Sequence, residues 1–136
     1  MRTLIVAVHP DNASLLCPAL APAFRLRVCH TLPAVREALQ AGDADGVVCG
    51  LHFDDGRLFS LLEALGAGED SRRLPVLCVN AGATPLSAAT RNSITISTGK
   101  LGARGFFDLG DARVEHGQAR ACAMLRDMVH GLLGAR

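Results

Sequence analysis

The chain has 136 residues, 49 % of them hydrophobic and 20 % charged, with a formal net charge of +1. That length predicts one domain over 1–136 with a proper core. The near-neutral balance and the absence of Trp and Tyr exclude the basic footprint and stacking platforms of a nucleic-acid binder, and the basic patch of a membrane-surface binder.

Thr3 to Val8 is apolar and β-branched, the composition of a buried strand. His9-Pro10-Asp11-Asn12 then turns the chain. Asp11 or Asn12 is expected to cap a helix over roughly 13–21, which Pro18 should kink or shorten and Pro22 should end. Phe24 to His30 alternates in polarity and reads as a second strand, at an edge because its arginines face outward. Thr31 caps a second helix with Pro33 in its first turn, Val35, Ala38 and Leu39 on one face and Gly42 as its stop.

Asp45-Gly46-Val47-Val48-Cys49-Gly50-Leu51-His52-Phe53-Asp54-Asp55-Gly56 is the stretch around which the rest is arranged. An apolar strand runs into a polar loop, and Leu58, Leu61, Leu62 and Leu65 follow at helical spacing. Such continuous apolar strands belong to parallel sheets covered on both faces. In those sheets ligands gather beyond the carboxyl ends of strands, so the loop from Gly50 to Arg57 is expected to belong to any site. Gly66, Gly68 and the polar run from Glu69 to Arg73 read as a connecting loop. Leu74 to Asn80 is the fourth strand. From Ala81 to Ser97 the pattern weakens: a short helix over 86–91 is expected, followed by the β-branched Ile94-Thr95-Ile96. Arg104 to Leu109 is the fifth strand, and Asp111 is expected to cap one long final helix with Cys122, Leu125, Met128, Val129 and Leu132 on its apolar face.

Five strands alternating with about five helices imply βαβ units: an α/β, doubly wound, flavodoxin-like (βα)5 fold with a five-stranded parallel sheet. Cys17, Cys29, Cys49, Cys78 and Cys122 include no CxxC pair, and an odd count without paired spacing reads as reduced core thiols rather than disulfides. No apolar run is long enough to span a bilayer, and the N-terminal residues lack the order of a signal peptide, so a cytoplasmic protein is expected.

Four segments in this order resemble the CheY-like receiver domain of bacterial response regulators over essentially the whole chain. Leu4-Ile5-Val6-Ala7-Val8-His9-Pro10 is similar to the first strand, Asp45 to Phe53 to the third, Pro75-Val76-Leu77-Cys78-Val79-Asn80-Ala81 to the fourth and Gly102 to Leu109 to the fifth. The resemblance implies a module of two-component signal transduction or a phosphorelay. It also implies where the chemistry would lie, and there the residue types differ. Ala7 and Val8 stand where the family carries its Mg²⁺-binding acidic pair, Gly50 where it carries the phosphoacceptor aspartate and Asn80 where it carries a switch hydroxyl. Leu109 and Gly110 replace its Lys-Pro, while Phe106 keeps the switch aromatic in kind. Without carboxylates a hard cation has no charged ligands. The implied protein is a pseudo-receiver, not phosphorylated on the usual aspartate, with no cofactor and no enzymatic activity.

Such a module is expected to act on a protein partner or a downstream output domain, with no direct nucleic-acid or membrane contact. By family analogy the contact surface is 86–109 with the final helix, although the segment between the fourth and fifth strands is longer than usual for the family. Homodimerisation there is a further expectation. A small, less polar ligand around Ala7, Gly50, Asn80 and Leu109 is a second way to replace phosphate as the signal.

The competing reading is a metal-dependent site or hydrolase. His9, Asp11, His52, Asp54, Asp55, Asn80 and Asp108 all follow or end predicted strands and are expected along one rim, where His9, Asp11, His52 and Asp54 form a candidate zinc set. Asp54 or Asp55 is also a candidate displaced phosphoacceptor. His9-Pro10-Asp11-Asn12 resembles, over one turn, the His-Pro-Asp-Asp of zinc deacetylases, but Asn12 stands at the base position and no HxxH follows. Thr98-Gly99-Lys100 looks like the end of a phosphate loop, but Ile94 stands where its first glycine is required, so an ordinary turn is expected.

Overall fold

A computed structural model describes residues 1–66, 74–82 and 86–134. Five parallel strands, β1 (Thr3–Ala7), β2 (Arg25–Cys29), β3 (Gly46–Gly50), β4 (Val76–Asn80) and β5 (Gly105–Asp108), form one sheet in the order β2-β1-β3-β4-β5. Around it lie α1 (Pro10–Leu20), α2 (Leu32–Ala41), α3 (Leu58–Gly66), α4 (Ala88–Lys100), α5 (Leu109–His116) and α6 (Gln118–Leu133). The expected doubly wound α/β fold is the observed one, with β2 at an edge and the exposed side chain of Arg25 on it.

Strand side chains alternate between two cores. Leu4, Val6, Val8, Val48, Leu77, Val79 and Phe107 face Leu16 and Leu20 of α1, Ala112 of α5, and Leu125 and Val129 of α6. Ile5, Ala7, Val47, Cys49, Val76 and Cys78 face Val35 of α2 and Leu58, Leu61 and Leu62 of α3. β1, β3 and β4 are buried along their whole length, as the apolar runs require.

Three helical expectations are corrected. α1 begins at Pro10, not near Ala13, because the His9 side chain is its cap rather than Asp11 or Asn12, and proline at the first position loses no needed donor. Pro18 lies inside it and does not cut it short; burial of Leu16, Ala19 and Leu20 carries the helix past the missing N–H to Leu20. The expected short helix over 86–91 is α4, thirteen residues that run straight through Ile94-Thr95-Ile96. The single final helix is two. Asp108, not Asp111, caps α5 by accepting from the Asp111 N–H, and Gly117, at φ 84°, separates α5 from α6. The left-handed backbone there suits glycine alone. Gly68 and the run 69–73, read as connecting loop, lie outside the described residues.

Candidate functional site

Parallel pairing in register brings the carboxyl ends of the strands together. Ala7 pairs with Cys49, Gly50 with Val79 and Asn80 with Asp108. Ala7, Val8, Gly50, Asn80 and Leu109 therefore do meet along one rim, and all five are buried. Ala7, Val8 and Leu109 are each 0 % exposed, so no water-sized sphere reaches their side chains. Val8 and Leu109 belong to one core and Ala7 to the other. A β-carbon built on Gly50 would stand 3.5 Å from Val8 Cγ2 and 3.7 Å from the Ala7 carbonyl oxygen, both ordinary van der Waals contacts. The side chains that line this part of the rim at Ala7, Val8 and Leu109 are apolar. Phe106 is half-buried, opposite Cys78 on the α2–α3 side of the sheet.

Polar chemistry in this part of the rim is concentrated on Asp108. Its Oδ1 accepts from Asn80 Nδ2 at 2.9 Å and from the Asp111 N–H at 3.0 Å, and its Oδ2 accepts from the Leu86 N–H at 3.1 Å. The residue is 8 % exposed, and three donors offset the cost of burying its carboxylate. Asn80 in turn accepts from the Gly82 N–H through Oδ1 at 3.2 Å. Asp111 pairs with Arg91 of α4 at 2.8 Å, and Arg113 donates to the Gly82 carbonyl at 3.3 Å. Sequence reasoning placed Asp108 on the rim and missed this role. The available signal was Asp108 followed three positions later by Asp111, the spacing of a capped first turn.

His9 lies beside two exposed carboxylates, with Asp11 Oδ2 3.6 Å from its Nδ1, while Asp54 is turned to α2. His9 Nδ1 accepts from the Asp11 N–H at 3.1 Å, which puts the proton of the neutral ring on Nε2, 3.9 Å from Asp55 Oδ1. Asp54 Oδ2 accepts from the Leu32 N–H at 3.0 Å and so ties the loop after β3 to the start of α2. Asp54 and Asp55 hold φ values of 45° and 54°, a left-handed backbone that non-glycine residues seldom adopt. His52 is exposed. Among the described residues no group of three or more His, Cys, Asp or Glu side chains is placed to hold a metal ion. The candidate set His9, Asp11, His52 and Asp54 is thus not assembled: Asp54 is turned to α2 and Asp11 supplies its backbone to His9. Thr98, read as part of a turn, is instead the buried residue of α4's last stretch and donates to the Ile94 carbonyl at 2.7 Å.

All five thiols are free. Cys29, Ala7, Cys49, Cys78 and Phe106 are consecutive in register across the sheet, on one face. Burial pushes the Cys49 thiol well up, with its neighbour Cys78 adding to the shift, and pushes Cys78 up to about 12 against a small opposing pull from the Thr98 hydroxyl. These thiols are core hydrophobes held in their protonated form.

The fold thus defined is that of response-regulator receiver domains. The chain is similar to a response regulator from Hahella chejuensis at TM-score 0.70 and 13 % identity, covering 100 % of both chains. It is similar to a response regulator in red light signaling of R. palustris at TM-score 0.67 and 17 % identity, covering 96 % of this chain and 92 % of that one. The signal receiver domain of a DNA-binding response regulator from Colwellia psychrerythraea 34H matches at TM-score 0.61 and 16 % identity, covering 95 % and 98 %. No protein-family model matches the chain, and no curated protein does.

Proposed function

We propose that the protein is a pseudo-receiver: a non-enzymatic signalling module that works without aspartyl phosphorylation and acts by binding a protein partner. The observation that carries this reading is the hydrocarbon rim. Ala7, Val8, Gly50 and Leu109 are buried where the resemblance puts cation ligands, phosphoacceptor and lysine, and none of them offers a side-chain oxygen or a positive charge. Phosphoryl transfer needs charge neutralised at the transferring group, and none of these four residues supplies it.

The contact surface is assigned to α4, β5 and the last helices. α4 exposes nearly its whole length, with Ile96 at 50 % exposure, and Val114 of α5 and Met128 of α6 are also open. The similar domain from Colwellia psychrerythraea 34H is part of a DNA-binding regulator, which fits a reading in which the partner is an output domain; a second copy of the chain is the other candidate. No helix among the described residues is long and apolar enough to cross a membrane.

Intact mass measurement after incubation with acetyl phosphate and Mg²⁺ tests the reading. The expected result is an unchanged mass. A labile, hydroxylamine-sensitive gain of one phosphoryl group, mapped to Asp54 or Asp55, would overturn it in favour of a displaced phosphoacceptor.

A further inference from the structure

α4 is a helix with little of its own to hold it. Thr90, Ile94, Thr95, Ile96 and Thr98 are β-branched, Asn92, Ser93 and Ser97 compete for backbone bonds, and Gly99 is flexible, so its intrinsic propensity is poor. A helix of its length is marginal in isolation even with good formers. Tertiary burial does not make up the difference, since Thr98 is the buried residue among its thirteen.

Polar anchors stand at its N-terminal end. The Leu86 N–H, two residues before α4, is held by Asp108. Arg91 in its first turn reaches Asp111, and the Asp111 N–H is itself held by Asp108. One buried carboxylate therefore fastens both the chain entering α4 and the residue to which α4's arginine is paired. Asn80, at the end of β4, donates to the same carboxylate and keeps it aligned.

We propose that Asp108 is a built-in clasp: a buried side chain that docks α4 against the sheet, so that α4 folds and presents its outer face only while the Asp108 carboxyl oxygens hold Leu86, Asn80 and Asp111. The device needs neither a transferred group nor a partner, and therefore stands or falls separately from the proposed function. Loosening the clasp releases α4 while the two apolar cores stay intact, because none of their buried side chains comes from α4. Asp108 is a positioning residue.

The test is hydrogen exchange with mass spectrometry on the full chain, comparing wild type with Asp108→Asn, which keeps the shape but turns an N–H₂ toward a donor. The readout is the exchange rate of 88–100 relative to that of β1 and β3 in the same sample. The ratio is expected to rise by about tenfold or more, with β1 and β3 still protected over the labelling time. An unchanged ratio, with all segments speeding together or none, would overturn the proposal, because a merely structural Asp108 lowers protection everywhere alike. If Asp108→Asn does not fold by far-UV circular dichroism, Asn80→Ala, which withdraws one donor, decides: a selective rise at 88–100 supports the clasp, and an unchanged ratio rejects it.

Discussion

α2 and α4 differ in what holds them. α2 has the Thr31 hydroxyl accepting from the Ala34 N–H at its start, Gly42 at φ 75° at its end, and Leu32, Val35 and Ala38 buried against the sheet. α4 is three residues longer, has a Ser87 cap, and buries Thr98. Both have a cap and a carboxylate at the entrance, Asp54 for α2 and Asp108 for α4, but α2 adds buried hydrocarbon where α4 adds an arginine pair. Apolar fixing is non-directional and always present. Polar fixing depends on a few bonds of specific geometry, so a surface that can be loosened without melting the core is built from α4 rather than α2.

Alkaline pH is expected to have the largest effect, because it acts on the core beneath both helices. Cys49 and Cys78 keep their protons when folded, whereas in the unfolded chain they ionise near the ordinary value of 9.0. Above that value the unfolded state binds fewer protons, so stability is unaffected below about pH 9 and falls as pH rises toward the folded-state values. The slope is about 1.4 kcal/mol per pH unit for each thiol that stays protonated. Urea unfolding at a series of pH values measures it, and a Cys78→Ala chain should show a shallower decline.

Val35→Ala, which empties part of α2's buried face, should cost about 2 kcal/mol with an unchanged denaturant slope. Arg91→Ala, which removes α4's ion pair with Asp111, should cost about 0.5–1 kcal/mol, since both side chains are about a third exposed, and the loss should shrink in high salt. Ile96→Ala, half-exposed on α4, should change stability by less than about 0.5 kcal/mol. Equal costs for Val35→Ala and Ile96→Ala would erase the distinction between the two helices. A weakened partner contact in Ile96→Ala with stability intact would sharpen it.

The same contrast explains what was legible in the sequence. α2 could be read residue by residue because its cap, its stop and its apolar face are all local patterns. β1, β3 and β4 announce burial on both faces through unbroken runs such as Leu4 to Val8 and Val76 to Val79. α4 could not, because Ile94-Thr95-Ile96 carries strand propensity and its anchors are Asp108 and Asp111, seventeen or more positions from Arg91 in sequence. The start of α5 was misplaced for a related reason: Asp108 looked like part of a strand, and its side chain is also the cap of the next helix. The rim positions Ala7, Gly50, Asn80 and Leu109 could be located in the sequence because each is counted from the end of a strand. That Ala7, Val8 and Leu109 are fully buried there depends on contacts across the sheet that no local pattern carries.

The apolar residues at Ala7, Val8, Gly50 and Leu109 are the centre of the account, and amide resonances read their surroundings directly. Two-dimensional NMR of the ¹⁵N-labelled chain, titrated with Mg²⁺ and then with beryllofluoride as a phosphoryl mimic, should leave the resonances of Ala7, Gly50, Leu51, Asn80 and Leu109 unmoved. Saturable shifts at Gly50 and Asn80 that require both additions would show an open, charged site and contradict it.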